Sequence, residues 1–89
     1  MTRDTLTAEQ CRGARAMLGW SQMELAKAAN ISRQTVADFE RGAHLPISNN
    51  LASIAAALER AGVELIPDDD RKGAGVRFTK PRGLSGSAE

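Results

Sequence analysis

Five residues between positions 33 and 41 carry side chains that could read the edges of DNA base pairs, namely Arg33, Gln34, Ala37, Asp38 and Arg41. At about 100° per residue they share one side of a helix, with Arg33 on its flank. Arginine can pair with guanine, glutamine with adenine, and aspartate accepts from cytosine, while a small alanine leaves space for a thymine methyl. The alternative is a solvated helix face on which Asp38 and Arg41 form only an i, i+3 ion pair.

Two further places along the chain could bind the DNA backbone. Gln22 stands at the start of a predicted helix, where free backbone N–H groups and the helix dipole favour a phosphate. Arg41 and His44 border the end of the helix that carries the base-reading side chains, and they could hold a second phosphate.

These side chains need two short helices to position them, and the sequence carries the signals that start helices. Thr7 with Gln10, and Ser21 with Glu24, have the spacing of capping boxes, in which each side chain satisfies a free backbone N–H group of the first turn. Ser32 is a plainer N-cap for the helix that follows it. The sequence therefore predicts helix starts after residues 7, 21 and 32.

Capping signals and apolar spacing together predict four helices, over about 8–18, 22–29, 33–41 and 49–60. Asn30 can adopt the left-handed backbone that the tight turn between the second and third helices requires. Val36 and Phe39 face inward from the third helix. The pair 22–41 therefore has the geometry of a DNA-reading helix-turn-helix.

The chain changes character after Gly62. Residues 63–66 and 76–78 are short β-type runs separated by a polar, glycine-containing loop, which predicts a hairpin. Residues 79–89 are rich in glycine and serine and are predicted to be disordered. We expect a mainly α fold, with a four-helix domain over 7–62 followed by a C-terminal β-hairpin over 63–78.

The hairpin needs a surface to pack against, which could be helix 4, the free edge of a second chain, or both, and we favour a dimer. A two-stranded hairpin alone is marginal in water, and residues 63–66 carry apolar side chains on both faces. Pairing of a free edge with a second chain would give a four-stranded sheet and two recognition helices related by a two-fold axis. Such a homodimer would bind an inverted repeat with half-sites about one helical turn apart.

Length and composition restrict the other classes of function. Eighty-nine residues form one small domain, for which a deep enzyme active site is improbable. The net charge of +1 requires that any DNA-binding charge be concentrated on one face, and two copies would help. We expect no enzymatic activity, no cofactor and, because neither a signal peptide nor a transmembrane segment is evident, a cytoplasmic protein without a membrane partner.

Metal binding and covalent chemistry have weak support. Cys11 is the only cysteine, so an intrachain disulfide is impossible and simple packing is the favoured interpretation. His44 has no cluster of ligands around it in the sequence. The run Asp68–Asp70 fits a solvated loop that resists aggregation better than it fits a metal site, because consecutive acids rarely converge on one ion.

Residues 12–62 resemble the lambda-repressor-like helix-turn-helix regulators, also called the xenobiotic-response-element family. The matching segments are Ser21-Gln22-x-Glu24-Leu25-Ala26, Ile31-Ser32-x-x-Thr35-Val36 and Phe39-Glu40-x-Gly42, followed by Pro46 and the Leu51…Ile54…Ala57-Leu58 helix. One departure is Asn30, where the family usually has glycine. The resemblance implies a lambda-repressor-like fold, a bacterial or phage source, a phosphate contact at Gln22, and an ion pair between Arg15 and Glu40.

The residues and the resemblance together predict a sequence-specific regulator of transcription that binds the major groove of double-stranded DNA, most simply a repressor. The alternative is the antitoxin of a toxin–antitoxin pair, which would also bind a toxin protein; any other protein partner is unknown. The predicted DNA-contacting residues are Gln22, Ser32, Arg33, Gln34, Ala37, Asp38, Arg41 and His44.

Overall fold

Four helices and an antiparallel hairpin follow one another along the chain in the computed structural model, which describes residues 6–82. The elements are α1 (Ala8–Leu18), α2 (Gln22–Ala29), α3 (Arg33–Glu40), α4 (Ser48–Arg60), β1 (Val63–Ile66) and β2 (Gly75–Phe78). The mainly α fold with a C-terminal hairpin is confirmed. Of the tail predicted to be disordered, residues 83–89 lie outside the described residues.

The predicted helix caps are present. Thr7 and Ser21 each accept from the N3 backbone, while the side chains of Gln10 and Glu24 accept from the N-cap backbone, so both capping boxes are closed. Ser32 caps α3 by accepting from the backbone N–H of Thr35 at 3.0 Å. Reciprocal capping satisfies N–H groups that a helix cannot satisfy internally, which fixes where α1 and α2 begin.

Asn30 makes the turn between α2 and α3. Its φ of 60° and ψ of 46° are left-handed, and it is the one non-glycine residue with positive φ within residues 6–82. Asparagine tolerates this backbone better than most residues because its short polar side chain bonds locally. The tight turn predicted at this position is confirmed.

Three element boundaries differ from the predictions by one residue. Helix α3 ends at Glu40, and Arg41 forms its C-cap with φ −94° and ψ 6°. Helix α4 begins at Ser48 without a side-chain cap, and β2 begins at Gly75. Helix and strand ends fray and lack a sharp sequence signal unless a capping side chain marks them.

The core lies where α2 meets α3 and α4. Its largest fully buried side chains are those of Leu25, Val36, Ile54, Leu58, Val63 and Cys11. Small Ala26 and Ala29 are also buried, so α2 approaches its neighbours closely. Val36 and Phe39 anchor α3 by its inner side, which leaves the opposite side of that helix facing outward.

The hairpin packs on the helices by one face. Val63 pairs with Phe78 and Leu65 with Val76, and these four side chains all pack in or against the core. Glu64 and Arg77 pair on the outer face, where both are exposed and form an ion pair of 2.8 Å. Ile66 is therefore the one apolar side chain that β1 carries on its outer face.

A buried glutamine joins the hairpin to α1. The Gln10 amide nitrogen donates to the backbone carbonyls of Ile66 and Gly75, both at 3.0 Å, while its oxygen completes the cap at Thr7. The Gln10 side chain thus caps the start of α1 and also binds both strands of the hairpin. None of the helices within residues 6–82 has the length and apolarity needed to span a membrane.

Candidate nucleic-acid interface

The outward side of α3 carries the side chains predicted to read bases. Arg33, Gln34 and Arg41 are exposed, and Ala37 and Asp38 are half-buried beside them. Because Val36 and Phe39 fix the opposite side of the helix in the core, this face has one orientation relative to the fold. Structure and helical periodicity therefore agree on which residues share the face.

Asp38 organises three of these side chains. Its carboxylate accepts from the Gln34 amide at 2.8 Å and from the Arg41 guanidinium at 2.6 Å. His44 Nδ1 lies 3.8 Å from the other carboxylate oxygen. The hydrogen bonds from Gln34 and Arg41 lower the pKa of Asp38, so it is ionised at neutral pH. The i, i+3 pair expected as the alternative interpretation is present, in a network that also includes Gln34.

Gln22 connects this face to the start of α2. Its carbonyl oxygen accepts from Arg33 at 3.2 Å, and its amide nitrogen donates to Glu40 at 3.2 Å. Gln22 is half-buried between α2 and α3. The residue is therefore bonded on both sides in the free protein, a feature that its position at a helix start did not predict.

Ser32 and His44 stand at the two ends of α3. Ser32 is exposed, and its hydroxyl shares a hydrogen bond of 2.8 Å with the Thr35 hydroxyl while capping the helix. His44 is exposed in the loop after α3, and its only ion-pair partner within residues 6–82 is Asp38. Ser32 has a clear structural role as the cap of the helix, whereas His44 is held loosely.

The carboxylate of Glu40 holds α3 at its angle to the other helices. Arg15 donates to both Glu40 oxygens at 2.8 Å, which confirms the predicted ion pair between α1 and α3. Arg15 also donates to the Trp20 carbonyl, and Arg12 donates to the backbone carbonyl of Glu40. The carboxylate also accepts from the Cys11 thiol at 3.1 Å, so the buried charge is well surrounded by donors.

The ionisation states of Glu40 and Cys11 follow from their burial and their hydrogen bonds. Burial alone would raise the pKa of Glu40, but hydrogen bonds from Arg15, Cys11 and Gln22 outweigh burial and hold it below its ordinary value. Burial and the neighbouring carboxylate raise the pKa of the Cys11 thiol far above its ordinary range. Cys11 is thus a neutral donor to Glu40 and, being fully buried, is no candidate nucleophile.

The loop after α3 carries an apolar feature that the sequence analysis missed. Leu45 and Ile47 are 71% and 68% exposed and border the surface formed by Thr35 and Asp38. The sequence pattern that could have predicted this feature is the placement of Leu45 and Ile47, one on each side of Pro46. No group of His, Cys, Asp or Glu side chains within residues 6–82 could hold a metal ion.

Comparison with known proteins agrees with this geometry. Residues 12–65, which are 54 of the 89 residues, match the model of a helix-turn-helix family. The matched segment includes all four helices except the first turn of α1, and extends into β1. The search of curated proteins gave no match.

Proposed function

The chain belongs to the lambda-repressor-like helix-turn-helix family of the xenobiotic-response-element type, whose members are DNA-binding transcription regulators, and from this premise we propose a sequence-specific repressor that binds an inverted repeat as a homodimer. In this proposal α3 enters the major groove and α2 lies across the DNA backbone. The proposed contacts are Gln22, Ser32, Arg33, Gln34, Ala37, Asp38, Arg41 and His44.

The observation that carries the proposal is the connected polar face of α3. Gln34, Asp38 and Arg41 present an amide, a carboxylate and a guanidinium on one surface, and these are the groups that recognise adenine, cytosine and guanine edges. Because the Arg15–Glu40 pair and the apolar anchors fix α3, this face approaches DNA as a rigid body. Little ordering of the backbone would then be needed on binding.

The proposed phosphate contacts lie at the margins of the same surface. The start of α2 presents backbone N–H groups beside Gln22, where the helix dipole favours an anion. Arg33 and Arg41 carry positive charge at the two ends of α3, and both are exposed. They place two cations, of which Arg41 is paired with Asp38, on one face of a chain whose net charge is only +1.

Two considerations favour a homodimer that represses. One copy presents few cations to DNA, and two copies joined rigidly would multiply their affinities at adjacent half-sites. The two-stranded sheet of the described chain has edges that a second copy could extend. A dimer on a promoter excludes other proteins by occupying the site, so repression needs no further chemistry.

The antitoxin alternative requires a second surface for a toxin protein. No contact within residues 6–82 points specifically to such a partner, and we therefore favour the simple regulator. Co-expression with the protein encoded by the adjacent gene separates the two. A stable complex that neutralises a toxic product would establish the antitoxin, and its absence would leave the regulator.

Selection from random duplex DNA with the purified protein, near physiological salt, tests the proposed function. Enrichment of an inverted repeat with half-sites about one helical turn apart is the expected result. Enrichment of a single half-site would contradict the dimer while retaining DNA reading. A pool without any enriched sequence would contradict sequence-specific binding.

A further inference from the structure

The hairpin offers two edges to a second chain, and their flanking charges differ. Residues 59–60 precede β1 and the run Asp68–Asp70 follows it. Arg71 and Lys72 precede β2, and Lys80 and Arg82 follow it. In an antiparallel pair related by a two-fold axis, the residues that precede a strand in one chain lie beside the residues that follow it in the other.

The outer face of the hairpin is a poor alternative to an edge. It carries the exposed ion pair of Glu64 and Arg77, whereas the apolar side chains of both strands other than Ile66 pack in or against the core. A partner covering that face would desolvate two charges that water now solvates. A partner at an edge would instead satisfy backbone groups that the two-stranded sheet leaves unpaired.

Pairing through β2 would bring like charges together. Continuation of the sheet with both core faces on the same side places Lys80 or Arg82 of one chain opposite the loop residues 70–74 of the other, which include Arg71 and Lys72. Like charges directly opposite one another destabilise a strand pair, and each such contact occurs twice in a symmetric dimer.

Pairing through β1 would bring opposite charges together. The run Asp68–Asp70 of one chain would reach the open end of the other chain's hairpin, where residues 60–62 leave α4 and enter β1. A groove of about 420 Å³ lies there, and it is lined by Arg60, Lys80 and Arg82 together with Phe78 and the single carboxylate of Glu59. We call this the basic groove.

The basic groove is shaped to receive carboxylates. Arg82 stacks over the Phe78 ring at 4.0 Å, which leaves the edge of its guanidinium available to acceptors. Arg60 donates one hydrogen bond to the Ala28 carbonyl, at 3.2 Å, and this contact holds it at the groove wall. Asp69 accepts from the backbone of both Arg71 and Lys72, so the acidic run is held in a defined turn.

We propose that two copies of this chain pair through the edge of β1, and that the Asp68–Asp70 run of each copy enters the basic groove of the other. The proposal rests on the homodimer of the proposed function and adds its edge and its electrostatic contact. Two-fold symmetry makes the contact twice, with the acidic run facing a groove that carries a charge of +2 from its lining residues.

Cross-linking of two variants, each with one cysteine substituted on the hairpin, distinguishes the edges. Glu64→Cys places a thiol on β1 and Arg77→Cys places one on β2, and both variants lose the same exposed ion pair, so each controls for the other. Across a β1 dimer, position 64 lies within two interstrand spacings of its copy, about 10 Å, whereas position 77 is three spacings from its copy, about 14 Å. The wild-type chain is the blank, because Cys11 is fully buried.

A short bismaleimide should join Glu64→Cys into a covalent dimer and leave Arg77→Cys mainly monomeric. The opposite pattern would overturn the proposal in favour of the β2 edge. Failure of both variants to cross-link, when sedimentation shows dimers, would overturn the β1 edge and leave the homodimer standing. A monomeric mass for the wild type at every concentration would overturn the homodimer as well.

Charge reversal in the loop provides an independent measurement. Asp70→Lys should raise the dissociation constant of the dimer by about threefold to tenfold, because it removes attraction at two symmetric contacts. Lys72→Asp is the matched control, two residues away, and should leave the constant nearly unchanged or lower it. A weaker dimer from Lys72→Asp alone would contradict the proposed arrangement.

Discussion

Glu40 is the residue at which α1, α2 and α3 meet. It accepts from Arg15, Cys11 and Gln22, and only 3% of it is exposed. A buried carboxylate is costly unless its partners surround it, so removal of one partner leaves an uncompensated charge. The ion pair of Arg15 with Glu40 therefore holds α3 at its angle to α1, and breaking it should lower the free energy of unfolding substantially.

Arg15→Ala tests this role. We expect it to lower the free energy of unfolding by about 2–4 kcal/mol, near the low end for breaking a buried pair because Arg15 itself is 21% exposed. The base preference of whatever protein remains folded should be unchanged, since Arg15 lies away from the outward side of α3. A melting temperature equal to that of the wild type would contradict the structural role of the pair.

The pH dependence of stability follows from the same residue. Since the pKa of Glu40 is lower in the folded chain than in the unfolded one, its ionised form stabilises the fold at neutral pH. This contribution is complete above the ordinary value of 4.5 and is lost as the pH falls through the lower folded-state pKa. Urea unfolding, measured at intervals of about one pH unit between pH 6 and pH 3, should show this loss of stability.

Glu40→Gln and Asp38→Asn separate the contributions to that profile. Asp38 also has a lowered pKa, but it lies at the surface, where solvent screens its charges. We expect Glu40→Gln to flatten the profile and Asp38→Asn to leave most of it in place. A wild-type profile as flat as that of Glu40→Gln would contradict the coupling of Glu40 ionisation to folding.

Sequence and resemblance predicted only part of this residue-level picture. The Arg15–Glu40 pair followed from the resemblance, and the members of the α3 face followed from helical periodicity. The contacts of Glu40 with Cys11 and Gln22 join residues 29 and 18 positions apart. Periodicity says which side of a helix is buried but not which atoms meet there, so these contacts could not be predicted from the sequence.

At the scale of elements, local chemistry determined the helix boundaries. Where a capping box exists, at Thr7 and Ser21, the predicted and observed helix starts agree. Where no side chain caps the helix, at α4, the start moved by one residue. The docking of the hairpin on α1 was not predictable, because the cap residue Gln10 also binds carbonyls 56 and 65 positions away.

Gln10→Ala tests the docking of the hairpin, with Thr7→Ala as its control. Thr7→Ala should cost about 1 kcal/mol through loss of the helix cap. Gln10→Ala should cost about 2–3 kcal/mol, because two backbone carbonyls also lose a buried donor. Hydrogen exchange should show selectively faster opening of residues 63–78 in Gln10→Ala. Equal exchange of the hairpin in the two variants would mean that Gln10 acts only as a cap.

At the scale of the whole molecule, the net charge of +1 favours the proposed homodimer, because two copies would bring twice as many cations to the DNA. The proposed α3 face would give one chain few phosphate contacts, whereas the proposed rigid dimer would make the second half-site an intramolecular target. We therefore expect a duplex with one half-site to bind about 10²- to 10⁴-fold more weakly than the full inverted repeat. Fluorescence anisotropy at fixed salt measures both, and equal affinities would show that the two copies act independently.

The central claim is that the outward side of α3 reads base pairs, and a double-mutant cycle between Gln34 and the operator tests it most directly. Affinities of the wild type and of Gln34→Ala are measured for the selected operator and for each single base-pair substitution in a half-site. Gln22→Ala, at the proposed backbone contact, is the control and should weaken every duplex alike. We predict coupling of about 1–3 kcal/mol between Gln34 and one base pair per half-site, and near zero elsewhere. Equal losses from Gln34→Ala on every duplex would contradict the claim, because Gln34 would then contribute affinity without reading sequence.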